Sequence, residues 1–152
     1  MKLSVKMTAL AALLVSLSLC LPTAQARDDT LYPLIKDALE LGKAQGKLDG
    51  TIKFYFSGQS HPAVASRLVQ GAASSKKTNS ANKSDEEACH WAMLSVLVAF
   101  QERARKEGGN AVINLESYYK KKSYKNKDKY ECHAGSIMAG VALKGDVVRL
   151  SN

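Results

Sequence analysis

Three observations predict an α+β fold, with an antiparallel sheet of about four strands packed on one long buried helix and an extra N-terminal helix. The stretch Trp91 to Phe100 is apolar almost all round and lies between strong helix start and stop signals. A helix of that composition is buried on most sides. Thr51 to Ser57 and Ala111 to Tyr119 alternate apolar and polar residues, the pattern of strands with one buried face. The resulting order is helix, strand, strand, helix, strand, strand and a short last strand, which suits a sheet layered on a helix.

The 152-residue chain opens with Lys2 and Lys6, an apolar run from Ala9 to about Leu21, then Pro22 and the small-x-small triplet Ala24-Gln25-Ala26. That is the pattern of a secretory signal peptide over residues 1–26. The run is short of the roughly 20 apolar residues that a membrane span needs. The mature chain, residues 27–152, is therefore expected to be a single α+β domain with no transmembrane segment, periplasmic or secreted. Cys20 follows Leu19, where a lipoprotein site wants a small residue.

Residues 27–30 read as a short tail. A helix is predicted over about 31–45, with Pro33 in its first turn, where a missing amide costs little. Leu31, Leu34, Ile35, Ala38 and Leu41 form its apolar stripe. Gly46 and Asp49-Gly50 turn the chain. In the next strand Ile52, Phe54 and Phe56 point inward. Ser57 to Ser60 is a turn, and 63–69 a second strand. Gly71 to Lys83 is rich in Ala, Ser, Lys and Asn without apolar periodicity, which predicts an exposed loop or a weak edge strand.

Ser84 with Glu87 three positions later forms a capping box. Asp85, Glu86 and Glu87 suit the positive end of the helix dipole, and Arg103, Arg105 and Lys106 the negative end. Gly108-Gly109 stops the helix. Ile113 and Leu115 are expected inward, with Asn114 and Glu116 outward. Tyr130 to Leu143 reads as one long strand, and Gly145-Asp146 as a turn into 147–150.

Leader removal would lower the formal net charge from +8 to +6. A basic exported protein meets anionic surfaces, so an anionic envelope surface or an envelope protein is the expected partner, and nucleic acid is not. The best candidate site is the segment holding Tyr118, Tyr119, Lys120, Lys121, Lys122, Tyr124, Lys125, Lys127 and Lys129. Positive charge interleaved with aromatic faces can hold an anionic polymer or headgroup. The plainer account of these lysines is a solvated hairpin tip kept soluble by charge.

Cys89 and Cys132, an even pair in an oxidising compartment, read as a disulfide. The alternative is a small metal-binding protein using Cys89, His90, Cys132 and His133, with His61 as a spare ligand. Adjacent Cys-His residues point in different directions on a regular element, so neither pair easily faces one ion. No Cys-x-x-Cys, no Gly-x-Ser-x-Gly elbow and no P-loop occur. No enzyme is predicted and no cofactor is called for. Trp91, Met93 and Phe100 at helical spacing read as core.

Two stretches carry a resemblance: Ser84 to Val112, and Tyr130 to Gly135 continuing through Met138 to Val148. They are similar to a group of small exported proteobacterial proteins often given the name "excinuclease ATPase subunit". That name implies P-loops and zinc modules, which this chain lacks, so the resemblance implies export but no mechanism. The helix-Gly-Gly-Asn-Ala-Val-strand element at Gly108 to Val112 also resembles the YbjQ-like family and the lipoprotein sensor of the Rcs envelope-stress pathway. That resemblance implies an α+β architecture and carries no site. The function expected from all of this is an exported, disulfide-bonded binding or interaction module.

Overall fold

The computed structural model describes residues 26–151. The leader read over residues 1–26 lies outside these, apart from Ala26. Strands β1 (Asp29–Leu31), β2 (Lys53–Phe56), β3 (Val64–Asn79), β4 (Ala111–Ser117), β5 (Cys132–Ala134) and β6 (Met138–Leu150) form one sheet, accompanied by helices α1 (Ile35–Ala44) and α2 (Asp85–Glu107). The α+β class is as expected. The sheet has six strands and is mixed, because β2 runs parallel to β4 while the other pairs are antiparallel. It is not the four-stranded antiparallel sheet predicted.

The axis of the sheet is β6. One of its edges pairs with β3 from Leu150↔Val64 to Met138↔Asn79. The other edge is shared, with β4 against residues 143–148 and β5 against 139–140. Helix α2 lies across one face. Ser84 caps it, its hydroxyl accepting from the Glu87 amide at 3.1 Å, and Gly108 ends it at φ 76°. Between these ends Ala92, Met93, Val96, Leu97 and Phe100 are buried against Val112, Leu115, Ala139, Val141, Leu143 and Val147. Trp91 is only half-buried and, with Val98, lines a groove of about 680 Å³ on the outer side of α2. Of the three residues read as core, it is the one that stays partly open.

Several boundaries differ from expectation, each for a local reason. The tail at 27–30 and the predicted first turn of the helix give way to β1, which pairs with β5. Helix α1 then starts at Ile35, after an extended Leu34, consistent with the extended bias of the residues around Pro33. The second strand and the basic, alanine-rich stretch are one 16-residue edge strand, β3, interrupted by register shifts. The long strand predicted from Tyr130 is two, because the chain turns between Ala134 and Met138. Gly145-Asp146 is not a turn but the middle of β6. Glycine is needed there because a Cβ would stand 2.8 Å from Leu115 Cδ2 and 3.1 Å from the Ile113 carbonyl.

Ile113 and Leu115 do not share a face. Asn114 sits at φ 53°, and the β4–β6 register shifts between Ile113 and Glu116. A bulge of this kind reverses which side chains point where. Leu115 joins the core beneath α2. Ile113 joins a small cluster on the other face with Ala111, Val148 and Leu150. Glu116, expected outward, is only 6% exposed.

Candidate functional site

The sheet face turned away from α2 changes character along its length. At one end the Ile113 cluster covers it, with Tyr55 and Val64 packed alongside. In the middle, Asp146 accepts from Arg67 at 2.6 Å, from the Gly71 amide at 2.8 Å and from Asn114 at 3.0 Å, joining β3, β4 and β6. At the far end the floor is small: Ala73 and Ser75 on β3 lie beside Lys144 and Ala142 on β6, and Lys77 beside Gly140.

Over this floor hangs the start of the basic segment. The Tyr118 amide donates to the Ala142 carbonyl at 2.8 Å, and the chain then makes a 3₁₀ turn at Tyr119–Lys121. Lys120 and Lys121 both sit at positive φ, 48° and 62°. Backbone of that hand is costly for residues with a Cβ, and here it is held by its surroundings. The Tyr119 ring stacks on His133 at 3.5 Å between centroids. Lys144 Nζ lies 4.3 Å above the Tyr118 ring. Both ring nitrogens of His133 face a carboxylate, Asp28 at 3.0 Å and Glu131 at 2.7 Å. Tyr118, Tyr119, Lys120, Lys121, Ala73, Ser75 and Ala142 enclose an open groove of about 430 Å³.

The structure divides the nine residues singled out above. Tyr118, Tyr119, Lys120 and Lys121 meet at the groove, with the exposed Lys122 next in the chain. Tyr124 turns away and packs on Tyr32, centroids 4.8 Å apart. Lys125 reaches Glu116 at 3.7 Å. Lys127 and Lys129 lie elsewhere, beside Gln59 and the start of α1. Nor is the segment a hairpin tip. It links β4 to β5, which are not neighbours, and is tied down by the Ser117–Tyr124 and Leu34–Lys129 bridges. Two neighbours of these tyrosines were missed: Lys77, which lines a smaller cleft with Tyr119 and His133, and Lys144, which lies over the Tyr118 ring. Both sides of β3 there carry Ala, Ser and Lys, so no apolar contrast marked Lys77 as sharing a face with Tyr119.

One buried charge anchors the overhang. Glu116 accepts from the Ser123 hydroxyl at 2.7 Å and lies 3.0 Å from Lys144 Nζ. Burial alone would push its carboxyl up. The Ser123 hydrogen bond and the Lys144 ammonium outweigh that and hold it below the usual carboxylate range. The same contact with Glu116 raises Lys144 above the ordinary lysine value.

Cys89 and Cys132 are bonded to each other, S–S 2.06 Å, and both are fully buried. The bond ties the N-terminal part of α2 to β5. Its sulfurs are therefore not thiolate ligands, and the Cys89, His90, Cys132, His133 quartet does not act as a set. His133 belongs to the Tyr119 stack, whereas His90 faces Glu86 at 3.9 Å. His61 stacks edge-on to Tyr55 at 5.6 Å, away from both.

Fold and site together define a disulfide-bonded α+β protein with one helix-covered sheet face and one face left partly open under a basic, aromatic turn. Comparison with protein-family models, with curated protein sequences and with solved structures gave no match. No helix among the described residues is long and apolar enough to cross a membrane.

Proposed function

We propose that the protein is an exported binding module whose open sheet face docks on an anionic component of the cell envelope. The observation that carries this reading is the groove under Tyr118–Lys121. Its floor is built of small residues, and its rim holds Lys120 and Lys121 at positive φ with Lys122 alongside. Lysines 121 and 122 have no acidic partner within 4.0 Å among the described residues, and Lys120 has only Asp28 at 3.9 Å. Clustered exposed cations, two of the three without an acidic partner among the described residues, suit a ligand of opposite charge. The buried disulfide fits the oxidising compartment that the leader implies.

The test is retention of the wild type and of the Lys120→Gln/Lys121→Gln/Lys122→Gln variant on vesicles containing anionic phospholipid at low salt. Each lysine near such a surface is worth about 1 kcal/mol, so the triple change should weaken binding on the order of 100-fold. Raising the salt should weaken the wild type more than the variant. Equal retention of the two proteins would remove the reading.

A further inference from the structure

A second polar cluster lies at the helix-covered side, beside the disulfide, and takes no part in the reading above. Helix α2 carries Glu86 and His90 one turn apart, a spacing that stacks two side chains on one helix face. Asp37, on α1, completes the group. One ligand atom each from Asp37, Glu86 and His90 lie within 4.8 Å of one another. The chain is strongly basic, yet neither Asp37 nor Glu86 has a lysine or arginine within 4.0 Å among the described residues. Among the described residues Glu86 faces one cationic group, His90 itself, at 3.9 Å.

A separate observation points into the same cluster. His90 Nε2 and the Tyr130 hydroxyl are buried atoms with no hydrogen-bond partner. Tyr130 is 0% exposed, and its ring stands edge-on to His90 with centroids 6.4 Å apart. Apart from burial, the charges that bear on its hydroxyl are Glu86 and Asp37. Buried polar atoms are nearly always satisfied by protein, water or an ion. Here His90 stands with two carboxylates that have no lysine or arginine partner among the described residues, and the buried Tyr130 lies edge-on to its ring.

We propose that Asp37, Glu86 and His90 bind one divalent transition-metal ion, with the Tyr130 hydroxyl facing its remaining coordination position. One imidazole and two carboxylates suit zinc, which takes nitrogen and oxygen ligands in a tetrahedral set. Bonds of about 2.0–2.1 Å would place ligand atoms roughly 3.4 Å apart, so the three must draw together by an ångström or so. Glu86 has the freedom to do it, since its side chain is 65% exposed. The disulfide joins Cys89, next to His90, to Cys132, two residues after Tyr130, and the rings of His90 and Tyr130 stand edge-on. The competing account is a protonated His90 paired with Glu86, which has no use for Asp37 or for a metal.

The experiment is calorimetric titration of Zn²⁺ into the metal-free, disulfide-intact protein. One ion per chain is expected. Glu86→Gln and Asp37→Asn keep side-chain shape, and each should weaken binding at least about 10-fold, the low end of what even outer-shell losses cost. Circular dichroism checks that both variants fold. His61→Ala and His133→Ala should leave the affinity unchanged. No uptake by the wild type overturns the proposal. So does uptake that the two acid variants leave intact, or that the His61 or His133 variant abolishes.

Discussion

Against α2 the sheet presents Val112, Leu115, Ala139, Val141, Leu143 and Val147, all of them buried. The far end of its other face presents Ala73 and Ser75, exposed, beside Gly140 and Ala142, half-buried. On the first face large apolar side chains meet a helix, and burying each is worth about 1.5–3 kcal/mol. On the second, small residues leave room that no element among the described residues fills. Under the proposed function, stability rests on the covered side of these strands and recognition of an anionic partner on the open side. Changes on the covered face should cost folding energy and leave ligand binding intact in whatever still folds. Changes at the overhang should do the reverse.

The largest effect expected from breaking this division is at the disulfide. The pairing closes a loop across a sequence separation of 43, and a loop of that length stabilises a fold by about 4 kcal/mol on the chain-entropy account. Cys89→Ala/Cys132→Ala should lose most of that in urea unfolding. A loss under about 1 kcal/mol would mean that β5 is held to α2 by packing alone.

Next comes Gly145→Ala. Its Cβ would press on Leu115 from inside β6, and overpacking of this kind costs about 1–3 kcal/mol. Thermal unfolding would measure it, and a neutral result would show that Leu115 can move aside.

A smaller, pH-dependent effect belongs to Glu116, which links the two regions because it is buried yet supports the overhang. Its carboxyl titrates lower in the folded chain than in the unfolded one. The stability it contributes is therefore fully present above the ordinary glutamate value of about 4.3, and is lost as pH falls through the folded value. Glu116→Gln should be less stable than wild type at neutral pH, with the gap narrowing below about pH 4. Parallel melting curves from pH 7 to pH 3 would contradict this if the gap stayed constant.

The smallest effect on folding is expected at the overhang itself. Lys120→Gln/Lys121→Gln/Lys122→Gln replaces exposed side chains and should shift stability by no more than about 0.5 kcal/mol per site. A larger loss in urea unfolding would give those lysines a structural role and blur the division between the faces.

What was legible in the sequence was mostly local. The Ser84 cap, the Gly108 stop and the apolar run between them define α2 as it is found. The Cys89–Cys132 pair followed from compartment and parity. Non-local geometry was hidden. Nothing in Ala-Val-Ile-Asn-Leu-Glu-Ser announces that Asn114 adopts positive φ and puts Ile113 and Leu115 on opposite faces. β3 carries no hydrophobic contrast over 71–79, because both of its sides there are small or basic, so the sequence leaves loop and weak edge strand open, and the structure has the edge strand. The basic segment was visible as a composition. Its division into a group at the groove and a group beside α1 depends on two bridges, to Ser117 and to Leu34, that no spacing rule reports. Glu86 and His90 stood one turn apart in plain view, but Asp37 reaches them only through the packing of α1 on α2.

The most direct test of the central claim is amide hydrogen exchange of the intact protein, free and bound to anionic vesicles. Docking through the open face predicts new protection at Tyr118–Lys122 and along 73–77 of β3, with the amides of α2 unchanged. Protection confined to the Trp91 groove of α2, or no protection at all, would contradict it.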